Sequence, residues 1–196
     1  MQNKNTQRFS TETMVLGAIL TALVVVLQML GQFIKFGPFS ISLVLIPIVI
    51  GAATCGYKIS AWLGFVFGIV VLMTDSAAFL AVDVLGTVVT VLAKGTFCGL
   101  ASGLVYQLLK KKAPKLSVWA AAIVCPIVNT GIFVLGCYAF FLPALNEWAA
   151  AGGFANATAF IFVGMVGLNF LVEFAVNVVL SPMVTRLLRM LPQLKK

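Results

Sequence analysis

One lysine, two asparagines and one glutamate break into apolar stretches from the middle of the chain onward, at Lys94, Asn129, Asn169 and Glu173. Lys94 stands in VLAKGTFCGL (91–100), with apolar residues on both sides. A charge at membrane depth is costly, so an ammonium there faces a partner or a wet cavity. Two arrangements would satisfy it: a structural ion pair with Glu173, or a polar solute site open to the outside. Lysine offers a point charge to a carboxylate, and asparagine both donates and accepts hydrogen bonds. One lysine among asparagines suits a small polar solute with a single carboxylate. Asp75 and Asp83, in TDSAAFLAVD (74–83), are further substrate-binding candidates. Together with LPALNEWAAAGGFANAT (142–158), which holds Asn146 and Glu147, that segment reads as a loop able to cover the site. Both segments have few apolar anchors for their length, which favours a mobile lid.

Catalysis is not expected. The chain has no histidine, which removes the commonest general base and metal ligand. It carries no G-x-S-x-G, no HExxH, no closely spaced carboxylate pair and no P-loop. No metal or cofactor is called for, and uphill transport would draw its energy from another chain. Cys55, Cys98, Cys125 and Cys137 form no CxxC pair and read as small buried hydrophobes.

The elements that must position these groups are membrane helices. The 196 residues are 62% hydrophobic and only 9% charged, at a mean hydropathy of +1.12. A soluble domain carries about a quarter charged residues. The chain therefore reads as one all-α integral membrane domain, 1–196. Six helices are expected, at about 12–33, 41–53, 59–73, 84–109, 118–141 and 159–190, with Pro47 interrupting the second. Ser10 or Thr11 is the expected cap of the first. The apolar run Met14–Leu30 exceeds a signal-peptide core of about 7–15 residues, so it is read as a span. With a rise of about 1.5 Å per residue, Lys94, Asn129 and Asn169 each lie about 15–18 Å deep. Glu173 and Asn177 follow Asn169 on one helical face.

Six spans place both termini on one side, and the charges choose the cytoplasm. Lys4, Arg8, Lys58, Lys110, Lys111, Lys112, Lys115, Arg186, Arg189, Lys195 and Lys196 mark the inner side; the outer segments hold Lys35, Asp75, Asp83 and Glu147. The net charge of +8 thus reflects cytoplasmic flanks, and nucleic acid is not the expected partner. Trp62, Tyr106 and Trp119 fall near the inner boundary, and Tyr138 and Trp148 near the outer one. No internal repeat is visible, so an inverted-repeat transporter is not supported.

Small residues recur at helical spacing: Ala18 and Ala22 in the first helix, Gly64 and Gly68 in the third, and Gly95, Gly99 and Gly103 in the fourth. Such faces let helices approach closely, either inside one bundle or against a partner. With GAILTA, LIPIVIGAATCGYKISAWLGFVFG, KGTFCGLASGLVYQLLKK and PIVNTGIFVLG, the chain resembles the substrate-binding S components of energy-coupling factor (ECF) vitamin transporters over nearly its whole length. The helix 4 and 5 pattern is most similar to the pantothenate-type branch. The resemblance implies capture of a small water-soluble vitamin on the outer side of a bacterial plasma membrane, among helices 4 to 6. It implies as partners a transmembrane coupling subunit, met by the Ala18–Ala22 face, and two cytoplasmic ATPases. Pantothenate has one carboxylate, one amide and two hydroxyls. Biotin and nicotinate share the single carboxylate, and riboflavin, folate and cobalamin also stay open as ligands. A membrane scaffold whose polar residues only hold helices together is the alternative of another class.

Overall fold

The computed structural model describes residues 11–31, 33, 35–36, 39–40 and 44–190. Ser10, Lys4, Arg8, Lys195, Lys196 and the expected start of the second helix at 41–43 lie outside the described residues, as do the side chains of Lys35, Lys115 and Arg189.

The described chain is almost entirely helical. Helix α1 is Thr11–Gly31, and its inward stripe is Gly17, Leu20, Val24, Gln28 and Gly31. A short hairpin follows, β1 (Lys35–Phe36) against β2 (Phe39–Ser40). Helix α2 is Leu45–Thr54, ten residues or about 15 Å, with most of its surface buried. Its proline does not interrupt it. Pro47 is the third residue, and in a first turn its missing N–H has no intrahelical acceptor to lose. Helix α3 (Tyr57–Thr74) starts after Gly56, whose φ of 87° only glycine adopts without strain.

Helix α5 spans Val84–Leu109, as expected. Helix α6 is Pro114–Phe140 and begins on a proline, the residue best suited to a first helical position. The two expected loops are largely helical. Between α3 and α5 lies α4 (Ala77–Leu80), and after α6 comes α7 (Leu142–Ala151). The last span is continuous but not uniform: α8 (Ala157–Ala159), a π-helical stretch Phe160–Val166, then α9 (Gly167–Met190). Among the described residues, five helices are long and apolar enough to cross a membrane. The short α2 is not, yet Thr13 lies beside Cys55 and Gln28 beside Asp75, so α1 and α3 run in parallel. The chain between them therefore returns across the bundle, and α2 supplies part of that path.

Backbone contact sets the centre of the bundle. Helices α3 and α5 are antiparallel, with Gly64 against Gly95, Gly68 against Val91, Gly99 against Ser60 and Gly103 against Tyr57. A Cβ on Gly64 would overlap the Gly95 carbonyl, and one on Gly99 would overlap that of Ser60. These small faces pack within the chain. Helix α6 lies along the other side of α5, where the Ser102 hydroxyl donates to the Ala121 carbonyl at 3.1 Å. Around this centre Val24, Leu45, Ile48, Leu63, Phe67, Cys98 and Cys125 form one apolar cluster. Lys58, Lys110, Lys111, Lys112 and Arg186 are exposed at one end; Asp75, Asp83 and Glu147 sit at the other.

Gly99→Leu should therefore be among the most damaging substitutions, because backbone atoms cannot move aside. A loss of about 1–3 kcal/mol or failure to fold is expected in detergent melting. Gly131, with open space around it on α6, should accept alanine with unchanged or higher stability, up to about 1 kcal/mol. Equal effects at the two positions would contradict the packing described.

Candidate functional site

Helix α5 carries Lys94 one residue before Gly95, at the level of its closest approach to α3. The ammonium lies 5.9 Å from the Phe67 ring centre on α3 and 5.2 Å from that of Phe133 on α6. Both rings present a face that attracts a cation. Glu173 and Asp75 line the same cavity as Lys94. The two rings lower the cost of an ammonium at this depth, and both the ion pair and the open site are compatible with its position.

Lys94 borders a cavity of about 540 Å³, counting its open part. Helix α1 contributes Gln28; α3 contributes Val71 and ends at Asp75. Helix α6 adds Asn129, Thr130 and Phe133, and the last span adds Met165, Val166, Asn169, Phe170 and Glu173. The expected group of Lys94, Asn129, Asn169, Glu173 and Asp75 is therefore brought together. A smaller cavity of about 330 Å³ adjoins it across Val71, Asp75, Lys94 and Phe133, and runs between Ser76, Phe79, Thr87, Thr90 and Phe141.

The polar groups here are buried and incompletely bonded. Exposure is 1% for Gln28, 5% for Asn129, 8% for Asn169 and 6% for Glu173. Among the described residues, Gln28 Oε1, Asn129 Oδ1, Asn169 Oδ1 and, in the smaller cavity, Thr90 Oγ1 have no hydrogen-bond partner. Leaving such an atom unsatisfied costs about 1–3 kcal/mol. Four in one region of a bundle is a cost that a donor-bearing solute or water in the cavities would offset. The amide of Asn169 otherwise donates weakly to the Met165 carbonyl, at 3.4 Å.

The π stretch has a part in this. A π turn holds more residues than an α turn, so it changes which residues of the following helix face inward. Met165 and Val166 end the stretch on the cavity wall, and Asn169 and Glu173 follow. Gly167 permits it, since a Cβ there would overlap the Phe162 carbonyl.

Two expectations change, on Asp83 and on the covering segments. Asp83 is not on the cavity: it caps α5, where its Oδ1 accepts from Gly86 N–H at 3.0 Å and its carbonyl accepts from the Thr87 hydroxyl at 2.6 Å. Asn177 is on the inward face but bonds the Glu173 carbonyl at 2.8 Å, beyond the cavity. The covering segments do have apolar anchors. Phe79 of α4 meets Phe133, Phe141 and Trp148 edge-on at 4.9–5.8 Å, and Leu145, Ala149 and Ala157 are buried beside them. Amphipathic spacing hid these anchors among alanines. Gln28 was not singled out, as one polar residue in a first span read for its Ala18–Ala22 face. Phe67 and Phe133 were missed because nothing marks an aromatic as cavity-lining rather than core. Ala18 and Ala22 are exposed on α1, about a quarter to a third of a turn around the axis from Gln28. Among the described residues no group of three His, Cys, Asp or Glu side chains comes together.

The family model described as "ECF transporter, substrate-specific component" matches residues 12–185. The curated proteins searched contain no match.

Asp83→Ala should lower stability by about 1 kcal/mol, the usual effect of losing a helix N-cap. Solute affinity should stay within twofold of wild type. A large fall in affinity without a fall in melting temperature would return Asp83 to the site.

Proposed function

We propose that this chain, which belongs to the substrate-specific components of ECF transporters, captures a small water-soluble vitamin with pantothenate as the best-fitting ligand. As a member of that family it is a multi-pass membrane subunit that recognises a small-molecule substrate and works with a membrane and ATPase coupling module. The observation that carries the ligand reading is the set of polar groups on one cavity. Lys94 is a cation for a carboxylate, and three buried acceptors without donors surround it, on Gln28, Asn129 and Asn169. Pantothenate brings one carboxylate, two hydroxyls and an amide N–H. Phe133 and Phe170 border its two methyl groups. Asp75 and Glu173 then hold the ammonium in place on the sides that the ligand leaves open.

The vitamin enters from the acidic end, which we assign to the outside, with both termini cytoplasmic, by the charge asymmetry of the two ends. The coupling subunit docks on α1 at Ala18 and Ala22, whose small exposed side chains allow backbone approach. Two cytoplasmic ATPases supply the energy, in keeping with a chain that has no P-loop. The cell membrane of a bacterium is the site of action.

Lys94→Met keeps much of the side-chain length and removes the charge. Pantothenate affinity should fall by about 2–5 kcal/mol, because a carboxylate is left desolvated and unpaired. Pantothenol, with a hydroxyl in place of the carboxylate, should bind both forms weakly and nearly equally. The scaffold reading expects no vitamin binding, a fall in melting temperature on Lys94→Met, and its recovery on adding Glu173→Gln. Ala18→Trp or Ala22→Trp should abolish uptake while ligand binding by the isolated chain stays near wild type. Loss of both together would mean that the face is needed for the fold and not for docking.

A further inference from the structure

Gln28 is the one side chain of α1 that reaches the cavity, and its orientation is decided by charge. Its Nε2 donates to Asp75 Oδ2 at 3.0 Å, and the same oxygen accepts from the Thr74 hydroxyl at 3.3 Å. Turning the amide over would set its oxygen against a carboxylate oxygen, two acceptors facing each other. The N–H₂ end is therefore turned to Asp75, with one of its two N–H groups in that bond, and Oε1 has no partner among the described residues. An amide ordinarily offers a ligand either end, because it can turn over. This one presents its acceptor in a fixed direction, in a side chain only 1% exposed and bordering the cavity.

We propose that Gln28 is a specificity-determining residue of the solute site: held by Asp75, its carbonyl oxygen selects a ligand that brings an O–H or N–H donor to the outer part of the cavity. Asp75 acts as a positioning residue, through Gln28. The proposal rests on the vitamin-capture reading above and adds to it which chemical feature is read at the α1 side. A ligand with an ether or carbonyl oxygen at that point would face Oε1 acceptor to acceptor and be rejected. Rejection of this kind is sharper than selection by size, because it leaves two desolvated acceptors unpaired.

The test uses the full chain purified in detergent and isothermal calorimetry. A panel of pantothenate, biotin, riboflavin and folate, all bearing O–H or N–H donors, first identifies what wild type binds. Gln28→Leu removes the acceptor and keeps the bulk; Gln28→Met repeats the removal with a flexible chain, in case the branched one disturbs packing. Affinity for the bound vitamin should fall about ten- to a hundredfold in both, with melting of the ligand-free protein unchanged or higher. For pantothenate, the two mono-O-methyl ethers locate the donor. Wild type should reject one ether at least tenfold, and Gln28→Leu should bind that ether and pantothenate equally. Asp75→Asn offers Gln28 a donor as well as an acceptor, so the amide can turn, and the discrimination should shrink while binding persists. If wild type binds a panel member and Gln28→Leu and Gln28→Met bind it equally well, the proposal on Gln28 is overturned and vitamin capture stands. If wild type binds none of the panel, the proposal on Gln28 and the pantothenate reading both fall.

Discussion

The close approach of α3 and α5 is the constraint on which the rest of the bundle depends. Glycine at 64, 95, 99 and 103 lets the two backbones touch, with no side chain between them. That contact sets the height of Lys94, which precedes Gly95, relative to Phe67, which precedes Gly68. It answers how an apolar segment can hold an ammonium: the ring of Phe67 is delivered beside it, Phe133 meets it from α6, and Asp75 and Glu173 line the same cavity. Dispersion and backbone packing, which lipid cannot replace, thus build the frame in which a costly charge becomes tolerable.

Within that frame the bundle leaves polar atoms unsatisfied where most proteins leave very few. The orphaned oxygens of Gln28, Asn129 and Asn169 belong to α1, α6 and α9, elements that are distant in sequence, and all border one cavity. A scaffold would be more stable with apolar residues at these places, since an apolar pair of similar shape avoids the desolvation cost. A binding subunit has a reason to keep them. In the proposed reading the donors come with the ligand, and the energy withheld from folding becomes available to binding.

The acidic end and α1 divide the remaining work. Helices α4 and α7 cover that end through Phe79, Phe141, Trp148 and Leu145, an aromatic cluster with edge-to-face contacts that ties the covering segments to α6 and the last span. Helix α1 has two dissimilar faces. One holds Gln28 against Asp75; the other presents Ala18 and Ala22 outward among Val15, Ile19 and Val26. A single helix therefore stands between the cavity and the surface proposed for the coupling subunit.

Sequence alone determined what depends on counting along the chain. Apolar length identified the spans, and α5 has the expected bounds because Asp83 caps its start and lysines follow its end. Depth follows from rise per residue, so Lys94, Asn129 and Asn169 could be placed at one level before any packing was known. Direction around a helix axis is a different quantity. It depends on which neighbour lies where, and on the π stretch at Phe160–Val166, whose extra residue no hydropathy pattern announces. That is why Gln28 was missed, why Asp83 was included although it is spent on a cap, and why the covering segments looked like loops. The glycine spacing was legible, but whether it faced a partner or the chain's own α3 was decided only by the tertiary structure, because a small-residue face fits any backbone that can come close enough to touch it.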